Sequence, residues 1–315
     1  MSTDASNSEL KELPVKLIDR NPDNPRLYFR AGEMEELLES IRTYGVQVPI
    51  SVYKESGRYV LIDGERRWRC AGKLNQRTIP ALVQEKPSPL TNLLLMFNIH
   101  ALREQWDLLT VALKLPKVSK LLERELGREP KVRELASKTG LNMAIIRRCK
   151  LLADLPEEFK QELLKELNKP KHQQKITEDL FIEMERALTT TERFLPSAIA
   201  NKNRVRRVLL EKYRSGVINN LVHFRMIAKI ARHEGVGVSK AVAEKALGRL
   251  FERNDISIEH AFQASVGEAY SERDLLSRVS SLFDRLKDVK LSDLDSNVVE
   301  ALKKLKRVLA QLLAE

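Results

Sequence analysis

The run Asp63-Gly-Glu-Arg-Arg-Trp-Arg-Cys-Ala71 sets a glycine, a carboxylate and three arginines where a β-rich apolar segment gives way to helical spacing. A strand, a tight turn and a helix start in that order suit the binding of an anion. Glycine lets the backbone turn closely, the first N–H groups of a helix have no partner within it, and arginines fork onto phosphate oxygens. Gly64, Arg66 and Arg67 are the residues that would do this. A solvated basic helix face is the alternative that this stretch leaves open.

A second constellation lies in Lys131-Val-Arg-Glu-Leu-Ala-Ser-Lys-Thr-Gly-Leu-Asn-Met-Ala-Ile-Ile-Arg-Arg-Cys-Lys150. Ala136 is small enough for two helices to cross closely, Gly140 can take the turn, and Leu135, Leu141 and Ile146 would fill a shared core. These offsets match a helix-turn-helix. Its second helix, from about Asn142 to Leu152, would enter the major groove of DNA with Asn142 and Met143 leading and Arg147 and Arg148 one turn later. Lys138 and Lys150 suit phosphate contacts. Charge agrees, since Arg103 to Leu152 holds 12 basic residues against 6 acidic. An ordinary helical hairpin in a bundle is the alternative.

The elements that must position these residues follow from the pattern on either side. Residues 1–12 are small and polar and read as a disordered tail. Leu13 to Asp19 reads as a short strand, and Asn21-Pro-Asp-Asn-Pro-Arg26 as an ordered loop. Glu33 to Tyr44 places Met34, Leu37, Leu38 and Ile41 on one helical face, ended by Gly45. Ile50–Tyr53 and Tyr59–Ile62 make a hairpin across Glu55-Ser-Gly57, and Thr78–Val83 is a further strand.

From Thr91 the periodicity is helical over Asn92–Leu102, Trp106–Leu113 and Val118–Leu126, with Pro116 and Gly127 as punctuation. Thr189-Thr-Thr191 and Pro196 suggest a boundary, after which amphipathic helices alternate with short turns. Lys202-Asn-Arg-Val-Arg-Arg207 is a dense basic run, suited either to a DNA backbone or to a solvated face. The last helix, Val298 to Leu313, carries an apolar stripe that suits pairing with a second copy as well as docking on its own domain. The fold class is α+β: a small mixed α/β domain over 13–103, an all-helical helix-turn-helix domain over 104–190 and a helical C-terminal domain over 191–315.

Composition narrows the chemistry. Lys and Arg number 55 against 44 Asp and Glu, a net charge of +11, which favours a polyanionic partner. Aromatic residues are only 5% of the chain, too few for a stacking platform for single strands. Cys70 and Cys149 form no C-x-x-C pair, which points to a reducing cytoplasm without a disulfide framework or zinc ribbon. No apolar run approaches a membrane span, and the first residues lack the pattern of an export signal. The five histidines show no metal-ligand spacing.

The order of the pieces resembles the ParB family of partition proteins: Asn-Pro-x-x-Pro-Arg, then Gly-x-x-x-Pro-Ile, then Gly-Glu-Arg-Arg-x-Arg-x-Ala, then Asn-Ile ahead of a helix-turn-helix. The likeness covers about residues 13 to 190, and the last 125 or so differ from the short dimerising domain of typical members. It implies an N-terminal domain of ParB/sulfiredoxin type that binds CTP with Mg2+, and a dimer that closes into a sliding clamp on DNA. Carried over by motif, Gly64, Glu65, Arg66 and Arg67 would cradle the phosphates, Pro25-Arg26 would line the nucleotide pocket and Asn98 would sit near the metal. Phe97 stands where the family motif has the metal-holding glutamate, and Gln47-Val48-Pro49 displaces the family glutamine.

The expectation is a DNA-binding protein of partition type, cytoplasmic and nucleoid- or plasmid-associated. Its partners would be double-stranded DNA, a second copy of itself and a partition ATPase. A weak CTPase activity is compatible with this reading, with Phe97 set against it. The alternatives are a ParB-domain regulator or adaptor that uses no nucleotide, and a ParB-fold nuclease relying on Glu65 with Asp63.

Overall fold

A computed structural model describes residues 8–24, 29–100, 107–290 and 293–314, with the side chains of 31 and 98–100 left undescribed. The chain divides into two compact units, Met1–Ala187 and Leu188–Glu315.

The first unit opens with a five-stranded mixed sheet in the order β1-β5-β3-β4-β2. β1 (Glu9–Pro14) pairs antiparallel with β5 (Thr78–Gln84), and β5 runs parallel to β3 (Ile50–Glu55). β3 and β4 (Arg58–Asp63) form the hairpin expected from the sequence, and β2 (Ile18–Asp19) lies parallel to β4 at the edge. Ser56 and Gly57 both take positive φ, at 50° and 81°, the pair of left-handed residues that a two-residue turn needs to match strand twist. β1 starts inside the segment expected to be a disordered tail. Its exposed Glu, Leu and Lys side chains hide the strand from a periodicity reading, and its partner β5 lies far along the chain.

Alternation decides what each face of the sheet buries. Leu61 and Val52 join Ile50, Ile79 and Ala81 in one cluster, against which Trp68 packs and to which Ala71 belongs. Val60, Ile62 and Tyr53 form the opposite cluster, covered by Leu95 of α3 (Pro89–His100). α1 (Ala31–Tyr44) lays Met34 and Ile41 against Cys70 of α2 (Glu65–Lys73) and ends at Gly45, φ 72°. The boundary expected between 103 and 104 falls outside the described residues.

The remainder of the unit is helical: α4 (Leu108–Leu126), α5 (Val132–Thr139), α6 (Met143–Ala153), α7 (Glu157–Leu167) and α8 (Glu178–Phe194). Two sequence expectations change here. α4 runs unbroken through Pro116, because Leu109, Leu115, Val118 and Leu122 keep one buried stripe on both sides of the proline and outweigh a lost backbone bond. α8 runs through Thr189-Thr-Thr191, where Thr191 is fully buried, so the division between the two units, after Ala187 and close to the expected boundary, falls inside a helix and not in a loop.

The second unit adds α9 (Lys202–Arg214), α10 (Phe224–Ala231), α11 (Lys240–Glu252), α12 (Ile258–Phe262), α13 (Glu268–Leu286) and α14 (Ser296–Leu312). A π-helical turn, Gln263–Gly267, links α12 to α13. Among the described residues no helix is long and apolar enough to cross a membrane.

Candidate nucleotide cleft and nucleic-acid interface

Gly64 makes the strand-to-helix turn possible. Its φ is 93°, and a Cβ there would lie 2.6 Å from Ile50 Cγ2, so both backbone conformation and space exclude a side chain. Glu65 follows at the first position of α2. Its carboxylate is nearly buried, accepts Nε and a terminal N–H of Arg69 at 2.8 and 2.5 Å, and accepts Asn24 Nδ2 from the loop after β2. That loop is anchored by Asn21, which is 2% exposed, donates to Leu61 O at 2.8 Å and to Asn92 Oδ1 at 3.2 Å, and accepts Asp23 N–H at 2.9 Å. An amide is needed there because it must donate and accept at once.

Between this loop, α1 and α2 lies a cleft of about 1000 Å³. Glu65, Trp68, Arg69, Gly72 and Lys73 of α2 line it, spaced as one helical face, with Arg20 and Asn24 opposite and Lys114 reaching in from α4. Burial lowers the Lys114 pKa and the Asp23 carboxylate opposes that shift. The cleft is therefore rimmed by Arg20, Arg69, Lys73 and Lys114.

Arg66 and Arg67 do not line it, which corrects the sequence expectation. They stand one turn before Cys70 and Ala71, the fully buried face of α2, and so point back into the domain. Arg66 donates to Glu33 O at 2.7 Å and pairs with its carboxylate at 3.6 Å. Arg67 donates to Val48 O and Pro49 O at 2.5 and 2.7 Å and to Asp63 at 2.9 Å, clamping the entry to β3. To touch a phosphate, either would have to leave these bonds. Arg26 and the Asn98 side chain lie outside the described residues.

Phe97 is fully buried, so the position that carries a glutamate in the family motif belongs here to the core. Among the described residues no group of three His, Cys, Asp or Glu is placed to hold a metal ion, and Glu65 is committed to Arg69 and Asn24. Among the described residues none is placed as a protein ligand for Mg2+, and the side chain of the expected one, Asn98, lies outside them.

α5 and α6 form the expected helix pair. Gly140 makes the turn at φ 74°, and Leu135, Ile146, Cys149 and Leu152 are fully buried. Burial pushes the Cys149 thiol up to about 12, as expected of an inert core cysteine. Burial likewise raises the other cysteine, Cys70.

Asn142 is corrected: it is the N-cap of α6, and its Oδ1 accepts Ile145 N–H at 2.8 Å instead of facing a base. Met143 and Arg147 are exposed on α6 and Lys138 on α5. Among the described residues neither Arg147 nor Lys138 makes an ion pair. Arg148 is half-buried against Asp179, and Lys150 stands 3.8 Å from Glu129.

The cleft and the helix pair share α4. Lys117 of α4 pairs with Asp23 in the cleft loop, and Asp107 at its N-cap takes Arg30 at 3.2 Å. Glu178, at the start of α8, accepts Leu109 N–H at 2.6 Å on the same helix end.

The model of one protein family, the ParB N-terminal domain, matches residues 1–98. Residues 1–98 are similar to the ParB N-terminal domain. The chromosome-partitioning protein ParB of Caulobacter vibrioides is 42% identical over 78 residues, 24% of this chain and 26% of that protein. The nucleoid occlusion protein of Shouchella clausii is 33% identical over 161 residues, 50% of this chain and 54% of that one. A solved structure of C-terminally truncated ParB from Caulobacter crescentus complexed to the centromeric parS site is 23% identical and covers 70% of this chain and 98% of its own, at a TM-score of 0.43. The chain spans between a quarter and about half of the length of these two curated relatives. The matched segment holds the sheet, the Gly64 turn and all of the cleft lining except Lys114 and Asn168, and it ends within α3.

The sequence reading missed Arg20, Lys73, Lys114 and Glu178. Arg69 had a signal, four residues after Glu65 on one helix face. Lys114 had none, because only the tertiary placement of α4 brings it to the cleft.

Proposed function

We propose that this chain is a DNA-binding protein of ParB type that acts in plasmid or chromosome partition and whose hold on DNA is gated by a nucleotide in the α1–α2 cleft. One observation carries the reading: α4 offers Lys114 to the basic cleft at its side and packs against α6, the helix that presents Arg147. A triphosphate needs several fixed cations, and Arg20, Lys73 and Lys114 are of the right type and placement, beside Arg69, which Glu65 holds, with Glu35 and Glu65 the carboxylates on the same lining. CTP is the nucleotide to test first, since a C-terminally truncated ParB from Caulobacter crescentus has been solved complexed with CTP-gamma-S. Magnesium would enter with the nucleotide, held by its phosphates and water, and no step is assigned to it here.

The duplex would be met by Lys138 and Arg147, the first on phosphates and the second at base edges. Nucleotide and DNA favour one another only if both bind the same arrangement of α4 more tightly than any other. A second copy of the chain would complete the gate. α13 exposes Leu275, Leu276, Val279 and Phe283, and α14 exposes Val298, Leu305, Leu309 and Leu312, on stripes suited to helix pairing. A partition ATPase would be the further partner.

The reading without nucleotide is favoured by one fact, the internal bonding of Arg66 and Arg67. The nuclease reading needs Asp63 and Glu65 together, and both are spent on arginines. Loading of the full chain on closed DNA circles with CTP, with ATP or with neither decides among these. CTP-dependent retention on circles that is lost on linearisation is expected. Equal retention in all three rejects the gate and leaves a plain DNA binder. Lys114→Ala should weaken CTP binding in calorimetry by about 1.5–3 kcal/mol, the worth of a hydrogen bond to a charged group.

A further inference from the structure

The second compact unit concentrates positive charge outside the ParB N-terminal domain and the α5–α6 reader. Residues 202–253 hold 13 Lys and Arg against 4 Asp and Glu. Much of that charge is used internally. Lys212 is fully buried and donates to Leu250 O and Ile256 O at 2.5 and 2.7 Å, and burial brings its pKa down to about 8. Lys229 sits over the rings of Phe262 and Tyr270 at 5.6 and 5.0 Å, and Arg232 sits over Phe194 at 5.3 Å. Lys202 pairs with Glu192 at 2.7 Å.

α11 is different. Lys245 and Arg249, one helical turn apart, are exposed, and among the described residues neither makes an ion pair within 4 Å. Like charges at this spacing cost a helix a few tenths of a kcal/mol. The two cations flank a cleft of about 230 Å³ walled by Val242 and Ala246 and, across from them, His260 and Ala264. α11 carries two acids: Glu244, occupied by Ser197 and by Lys240 at 3.6 Å, and Glu252, three residues beyond Arg249 and not within 4 Å of it. The turn before α11 repeats the one before α6: a glycine at φ 73° or 74°, an apolar residue, then a polar N-cap, Ser239 or Asn142.

We propose that this cleft is a phosphate-contact site for the backbone of duplex DNA, separate from the reader helix α6. Four residues of helix rise about 6 Å, and one strand of a duplex carries a phosphate about every 3.4 Å along the axis, so Lys245 and Arg249 can engage two phosphates of one strand. No Phe, Tyr or Trp lines the cleft and His260 is its single ring, which disfavours a run of bases held by stacking. The contact is to backbone and reads no sequence. It holds the chain on DNA away from a specific site whether or not a nucleotide gates the reader.

The test uses the full chain with Lys245→Ala and Arg249→Ala combined, and Lys245→Arg with Arg249→Lys as the charge-preserving control. Binding to a fluorescent random-sequence duplex is measured by anisotropy across a salt series, with single-stranded RNA of equal length alongside. Loss of two phosphate contacts should lower the slope of log affinity against log salt by about 1.8. The control pair should keep the wild-type slope, and both double variants should melt with the parent. A wild-type slope in the alanine pair, or a loss confined to RNA, would overturn the assignment.

Discussion

Replacing Glu178 by Gln probes the junction that ties the cleft helix to the reader. Glu178 Oε1 accepts Leu109 N–H at 2.6 Å, and burial raises its pKa from 4.5 to about 7, with Asp107 and Asp179 adding to the rise and the Leu109 N–H and Arg148 opposing it. Between those two values the folded chain keeps a proton that the unfolded chain has released. The contribution to stability is therefore fully present below about 4.5 and is lost as pH rises through about 7. At about 1.4 kcal/mol per pH unit that interval is worth about 3 kcal/mol. Gln keeps the carbonyl that accepts Leu109 N–H but cannot ionise. Urea unfolding should find variant and parent alike near pH 4.5, and the variant about 2–3 kcal/mol more stable near pH 8, with the gap opening between. An unsatisfied amide N–H would subtract about 1 kcal/mol at every pH without changing the slope. A gap that stays flat from acid to neutral pH, or that widens in favour of the parent, would refute the burial of an ionisable carboxyl at this helix end.

Gly64→Ala must place a Cβ 2.6 Å from Ile50 Cγ2 at φ 93°. The left-handed conformation costs about 1–2 kcal/mol and displacing Ile50 adds to it, so thermal melts should show a loss of about 2–4 kcal/mol; a shift under 1 kcal/mol would mean that the turn rearranges freely. Arg147→Ala should weaken binding to the site found by a genome-wide map by about 1–3 kcal/mol and leave random duplex nearly unchanged, whereas Lys138→Ala should weaken both alike and lower the salt slope by about 0.9. Equal losses on the two duplexes for Arg147→Ala would remove its role as a base reader.

The parts legible in the sequence are those in which a local rule has no competitor. Gly64 and Gly140 mark left-handed turns, Ser56-Gly57 marks the hairpin, and the stripes of α1 and α6 find the partners that their periodicity requires. Expectations failed where tertiary burial overrode a local signal. Pro116 lies inside a helix that a continuous buried face holds together, and the threonine run at 189–191 lies close to the division between the units but inside α8. β1 was missed because strand pairing with β5, and not its own pattern, makes it a strand.

The arginines of α2 show how close the reading came and why it went astray. Arg66 and Arg67 were assigned to an anion because they follow a glycine turn, a rule about helix starts that says nothing of which way a side chain faces. Cysteine and alanine are residue types that favour burial, and four residues is one turn, so Arg66 shares the face of Cys70 and Arg67 that of Ala71 beside it. The face left for the cleft begins at Glu65 and continues through Arg69 and Lys73. That rotation was available from residue types alone. Lys114 was not, because it lies on α4, after the ParB N-terminal match ends, and joins the cleft only because Lys117 and Asp107 fasten that helix to Asp23 and Arg30. The same fastening sets on one helix both Lys114 of the cleft lining and the surface that packs against α6, which is the physical basis for the coupling proposed between the two sites.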